Sequence, residues 1–215
     1  MTDIYVEFAG RKAVAWSLEW PGWCRIRKNE QEAMQALIET ETRYRVIAQR
    51  AGLDFAPNDL VIIERVPGDT NTAWGVPSVM VAADTRPIDT LTASRNVALL
   101  RASWDVLEEV VATSPVELRK GPRGGGRDRD EIWRHVVEAE RVYARKIGVR
   151  HKPFDVNDLS ALKAMREEIV TVLGTPSNGE PLVAGGWNAS YAVRRMAWHV
   201  VDHIWEMEDR RSERT

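Results

Sequence analysis

The chain has 215 residues, 44% of them hydrophobic and 29% charged, which is room for one large or two small globular domains. A net charge of -2 argues against a general nucleic-acid binder, which clusters Lys and Arg to neutralise phosphate. No apolar run reaches the ~18–20 residues that cross a bilayer, the opening MTDIYVEF lacks a basic segment followed by an apolar one, and the single cysteine, Cys24, cannot close an internal disulfide, so a reducing cytoplasm is the expected compartment.

Taken in chain order, Ile4 to Phe8 reads as a short strand, Ala9-Gly10-Arg11-Lys12 as a hairpin turn and Ala13 to Trp20 as a second strand. Pro21-Gly22 breaks the pattern, and Trp23 to Ile26 suits a third strand. Asn29 followed by Glu32 resembles a capping box. Ala33, Leu37, Thr40, Tyr44 and Ile47 then fall at spacings of three and four, which predicts one amphipathic helix ending near Gly52. Asp59 to Val66 is a fourth strand. The order β-β-β-α-β predicts a small sheet domain over 1–68 with a helix on one face. Residues 69–88, with Gly75, Pro77 and Pro87, read as a linker carrying a short strand near Ser78 to Ala82.

From 89 to 215 the period is helical. Val97, Leu100, Trp104, Leu107 and Val111 mark a helix over 90–113 that Pro115 ends. The segment LRKGPRGGGRDRD is basic and glycine-rich but has no Gly-Lys-Ser/Thr, so it reads as a solvated connection rather than a phosphate loop. Arg123, Arg127 and Arg129 there are the residues a nucleic acid would meet, a weak reading beside the overall charge. Asp128 and Glu131 start a helix over 128–147, closed by Gly148. A third helix spans 157–173, and a fourth, capped by Asn188, runs to about 210. The predicted fold class is therefore α+β: a small N-terminal sheet domain, then an up-and-down four-helix bundle.

The chemistry lies in the histidines. His199 and His203 stand four apart on the fourth helix, hence on one face. That helix is apolar around most of its circumference, so both imidazoles are drawn inside. His135 sits on the second helix with Ile132, Ala139 and Val142. Buried imidazoles need partners for their nitrogens, which a metal, a carboxylate or a backbone carbonyl can supply. Three histidines with an open position form a known type of catalytic metal site. His199 is followed by Val200, not by the Glu of a zinc peptidase. Glu138, Asp202 and Glu206 are the candidate catalytic or ligand-orienting carboxylates. Trp198 and Trp205 are read as core or as walls of a cavity, Arg194 and Arg195 as solvated or as meeting an anionic substrate, His151 as surface and Cys24 as structural.

On these residues 88–210 resemble the DinB/YfiT-like family of four-helix-bundle metalloenzymes. That family carries one histidine on its second helix and a His-x-x-x-His pair on its fourth, the places of His135, His199 and His203. Met196-Ala197-Trp198 and the segment Trp205 to Arg210 fit its last helix. The resemblance implies a divalent metal, zinc or nickel, a small-molecule substrate, a low-molecular-weight thiol as co-substrate and a homodimer. The N-terminal half resembles the HicB-like domain in its two first strands, in Trp20-Pro21-Gly22-Trp23-Cys24 in place of that family's Pro-Gly-Cys segment, and in the Glu32-Ala33 helix start. It lacks that family's C-terminal DNA-binding segment, so packing or dimerisation is the role expected of it. The rival expectation is a non-catalytic interaction protein, in which the HicB-like half binds a protein partner and the histidines are structural.

Overall fold

The computed structural model describes residues 1–121 and 124–211; Arg123, one of the three arginines considered for nucleic acid, lies outside them. The chain is α+β. Strands β1 (Thr2–Ala9), β2 (Lys12–Ser17), β3 (Cys24–Arg27) and β4 (Leu60–Pro67) form one mixed sheet in the order β3-β2-β1-β4. β1 and β3 run antiparallel to β2, while β4 lies parallel to β1. β1 is central, and both its faces are covered. Ile4 and Val6 join the main core with Ala33, Leu37 and Tyr44, whereas Tyr5 joins Val14, Trp16 and Cys24 in a second cluster closed by Trp198. This period of two with both faces buried explains why β1 reads as almost continuously apolar.

The single helix expected over 29–52 is two, α1 (Glu30–Glu39) and α2 (Glu41–Arg50), capped as expected by Asn29. The break falls at Thr40. Its hydroxyl donates to the Ala36 and Leu37 carbonyls, and the Trp23 indole N–H also donates to the Leu37 carbonyl, so side chains take up the carbonyls of the last turn. Trp20, Trp23, Tyr44 and Phe55 pack between this helix pair and the Pro21-Gly22 turn, with ring centroids 4.8–6.2 Å apart.

The linker is more structured than its composition suggests. A short helix α3 (Thr70–Ala73) is capped by Asp69, and a 3-10 turn spans Ala82–Thr85. The strand expected near Ser78 does not form. The Ser78 and Val79 N–H groups donate instead to Glu7, a fully buried carboxylate on β1 that also accepts from the Thr72 hydroxyl. The backbone here bonds a side chain where a strand would need a neighbour.

Four longer helices follow: α4 (Thr90–Thr113), α5 (Arg129–Arg145), α6 (Leu159–Leu173) and α7 (Ala189–Arg210). Asp89, Asp158 and Asn188 cap α4, α6 and α7, and Asp128 with Glu131 forms the capping box of α5. α7 packs on α4 and α5, and α6 packs on the same two helices. Arg166 of α6 ties these helices together, donating to the buried Glu140 of α5 and to Glu108 of α4. One continuous core runs from Ile4 to Met207.

α7 organises the molecule. Its Trp198 covers the second face of the sheet, and Arg194 beside it pairs with Asp84. On another side it meets Gly22, which has φ +95° and no room for a side chain: a Cβ there would stand 2.9 Å from Val201 Cγ2 and 3.2 Å from the Ala197 carbonyl oxygen. Arg194 and Arg195, read as solvated, are both buried. Among the described residues no helix is long and apolar enough to cross a membrane.

Candidate metal centre

His199 and His203 lie on α7, 6% and 7% exposed, and the half-buried His135 faces them from α5. The ring centroids form a near-equilateral triangle: 4.7 Å between His199 and His203, 4.9 Å between His135 and His203, and 5.0 Å between His135 and His199. One nitrogen from each ring falls within 4.8 Å of the others, close enough to hold one metal ion. Nitrogens bound at ~2.0–2.1 Å with tetrahedral angles stand about 3.3 Å apart. His135 Nε2 and His199 Nε2 are 3.1 Å apart. The donor set is three neutral imidazoles, which suits a borderline transition metal.

The protonation states fit. The carboxylate of Glu206 is 2.7 Å from His203 Nδ1 and can only accept, so Nδ1 carries the proton and Nε2 is left for the cluster. Burial, with the charges that His203 and Arg127 would add, depresses the pKa of His135. Burial and the neighbouring His203 and His135 depress that of His199 further. Both therefore remain neutral, the form that ligates. Burial works against the charge on Glu206, but hydrogen bonds from His203 and Arg210 outweigh it and hold the carboxyl below its ordinary value. His199 Nδ1 is buried without a hydrogen-bond partner among the described residues.

The three expected carboxylates lie in different settings. Glu206 touches the cluster. Glu138 is exposed, one turn along α5 from His135. Asp202 faces Arg25 of β3 at 3.8 Å with 42% of its side chain exposed, and no hydrogen bond joins it to an imidazole. Val142, expected beside His135 on the buried side, is 52% exposed. Trp198 packs against Trp16, and Trp205 lies under the guanidinium groups of Arg25 and Arg43. His151 pairs with Glu168 away from the cluster, and Cys24 is buried, with burial raising its thiol pKa.

Two more residues stand beside the centre: Tyr143, which was not foreseen, and Arg195, which the sequence placed in solvent or against an anionic substrate. The Tyr143 ring stands edge-on to His199 at 5.5 Å, and its hydroxyl accepts from Arg195 at 3.2 Å. Arg195 also donates to the Pro77 carbonyl and lies over the rings of Tyr143 and Trp198. With Arg195 as donor, the Tyr143 proton is free to point elsewhere. Tyr143 reads in the sequence as one more member of the apolar stripe of α5. The available signal was Arg195 itself, a charge on a helix otherwise apolar around its circumference.

Comparison of the chain with protein-family models, with curated proteins and with solved structures finds no match in any of the three.

Proposed function

We propose that the chain is a divalent-metal-dependent enzyme of the DinB-like type, acting on a small molecule by thiol-dependent transfer or by hydrolysis. The observation that carries this reading is the convergence of His135, His199 and His203 from two helices on one point. The resemblance of 88–210 to the DinB/YfiT-like family supports it, with α4 to α7 read as that family's up-and-down bundle. Zinc or nickel is the ion we expect, a low-molecular-weight thiol the co-substrate, and a homodimer the assembly. The buried lone thiol of Cys24 suits a reducing cytoplasm.

A divalent ion at the three imidazoles keeps its positive charge and would lower the pKa of a water or thiol there towards neutrality. The protein's own groups divide the remaining work. Glu206 fixes the His203 tautomer and ring plane. Tyr143 offers a hydroxyl proton beside His199, with Arg195 holding the oxygen in place. The half-buried His135 marks the side from which a substrate reaches the cluster.

A metal-free reading has its own observation. At 3.1 Å the His135 and His199 Nε2 atoms can share one hydrogen bond, one ring donating to the other, as a structural role would have it in an interaction protein. His199 Nδ1 lacks a partner in both readings, so the bound ion itself is what separates them.

Elemental analysis of purified and reconstituted protein separates the two. We expect one divalent ion per chain, lost in His199→Ala, and turnover when small thiols are screened with electrophiles. Protein that holds no metal after reconstitution, together with unchanged thermal stability of His199→Ala, overturns the proposal.

A further inference from the structure

The glycine-rich segment between α4 and α5 is fastened to the end of α7, about two turns beyond His203. Arg119 N–H donates to the Arg210 carbonyl at 2.9 Å, and Arg210 Nε returns a bond to the Arg119 carbonyl at 2.8 Å. Arg119 Nη2 donates to the Asp209 carbonyl at 2.7 Å. The segment is also closed on itself. Gly121 N–H donates to the Gly125 carbonyl, Lys120 Nζ donates to the Gly126 carbonyl at 3.1 Å and pairs with Asp128 at 2.6 Å. Its described residues from Arg119 to Arg127 are exposed, as a solvated connection requires, yet these bonds tie it down.

The fastening reaches the metal centre in two steps. Arg210 Nη1 donates to Glu206 Oε1 at 2.7 Å, and Glu206 Oε2 accepts from His203 Nδ1 at 2.7 Å. Each carboxylate oxygen has one partner, so the carboxylate cannot turn about its own axis without breaking a bond at one end. Arg210 is in turn walled in by Gly126, whose φ is +120°. A Cβ built there would fall 2.7 Å from Arg210 Nη2 and 2.8 Å from Cζ. A side chain at 126 would require the guanidinium to shift from the place where it reaches Glu206, at a φ that disfavours any residue but glycine.

We propose that Arg210, seated by Gly126, is a positioning residue of the metal centre: it locks Glu206 in the orientation that fixes the His203 ring, so the glycine-rich segment sets how tightly the ion is held. This rests on the metal reading above. The inference is about affinity and ligand geometry, with no contact between Arg210 and the ion. Deleting a carboxylate that orients a metal-ligating histidine lowers affinity about 10- to 100-fold. Loss of its anchor should fall at the lower end, about tenfold.

The test is a cobalt(II) titration of the full chain against a competing chelator, following the visible absorption of the bound ion. Arg210→Met should weaken cobalt binding about tenfold and change the band shape, and Arg210→Lys, which can still reach Glu206, should recover part of both. In the Glu206→Gln background Arg210→Met should add less than about twofold, because its route to His203 is already cut. Gly126→Ala, which pushes on the guanidinium from the other side, should reproduce the Arg210→Met spectrum and serves if that variant does not fold. Equal effects of Arg210→Met with and without Glu206, or cobalt binding and spectrum unchanged in both Arg210→Met and Gly126→Ala, overturn the positioning role and leave the metal reading intact. Wild-type protein that takes up no cobalt overturns both.

Discussion

Zinc should stabilise the native state by an amount set by how the ligands are distributed along the chain. His135 and His199 are 64 residues apart. Closing a loop of that length in an unfolded chain costs roughly 4 kcal/mol on the logarithmic scale of loop entropy. Only the folded protein therefore presents all three imidazoles, and binding feeds directly into stability. At free zinc about 100-fold above the dissociation constant the gain is about 2.7 kcal/mol. For a 215-residue chain, a slope of about 2–4 °C per kcal/mol gives a rise in Tm of about 5–11 °C. Glu206→Gln, if affinity drops about 10- to 100-fold, should keep only about 0.4–1.4 kcal/mol of that at the same free zinc, a rise of about 1–6 °C. His199→Ala should show almost no rise. Scanning calorimetry at buffered free zinc measures all three. A His199→Ala protein whose Tm rises as much as the wild type's would place the ion elsewhere, and the reasoning would fail.

Asp84→Ala leaves Arg194, 2% exposed, without its counter-charge; we expect a loss of about 3–5 kcal/mol by urea unfolding, and a loss below about 1 kcal/mol would show that water or the rings of Tyr5 and Trp16 suffice. Gly22→Ala forces a methyl against Val201 and the Ala197 carbonyl at a positive φ and should cost about 2–4 kcal/mol, read as a lower urea midpoint at unchanged slope. The metal-free protein should lose stability on acidification. His135 and His199 have depressed pKa values when folded, so between the unfolded value near 6.5 and those lower values the unfolded chain binds more protons. Stability is then full above about pH 6.5 and falls as the pH drops through that window. His199→Gln should flatten the slope in pH-dependent urea melts, and an unchanged slope would refute the assignment.

The elements that could be read from the sequence were those with a local signal. The four long helices announce themselves by a 3.6-residue period and by Asp or Asn caps, the first three also by Gly or Pro stops, and their observed ends fall within two residues of those expected. The histidine triangle could be read because two of its members are fixed by helix geometry alone. What could not be read depends on contacts between distant segments. Thr40 ends α1 because Trp23 and its own hydroxyl take up carbonyls of the last turn, and nothing near Thr40 in sequence says so. The segment around Ser78 is held by Glu7, some seventy residues earlier. Arg194 and Arg195 look solvated until Asp84 and Tyr143 are brought to them. Glu138, Asp202 and Glu206 are equally plausible carboxylates in the sequence, and only the turns of α5 and α7 against each other decide which of them meets an imidazole.

The covering of β1 by α7 has a consequence for synthesis. Tyr5 and Trp16 leave the ribosome long before Arg194 and Trp198, which shield them. Until α7 is made and docked, that side of the nascent sheet has only the 70–83 segment over it and stays partly greasy, a condition in which chains recruit chaperones or clump. Native pairings so far apart along the chain also form slowly. Growth at lower temperature or with extra chaperone should therefore raise the soluble yield more than any change at the histidines does.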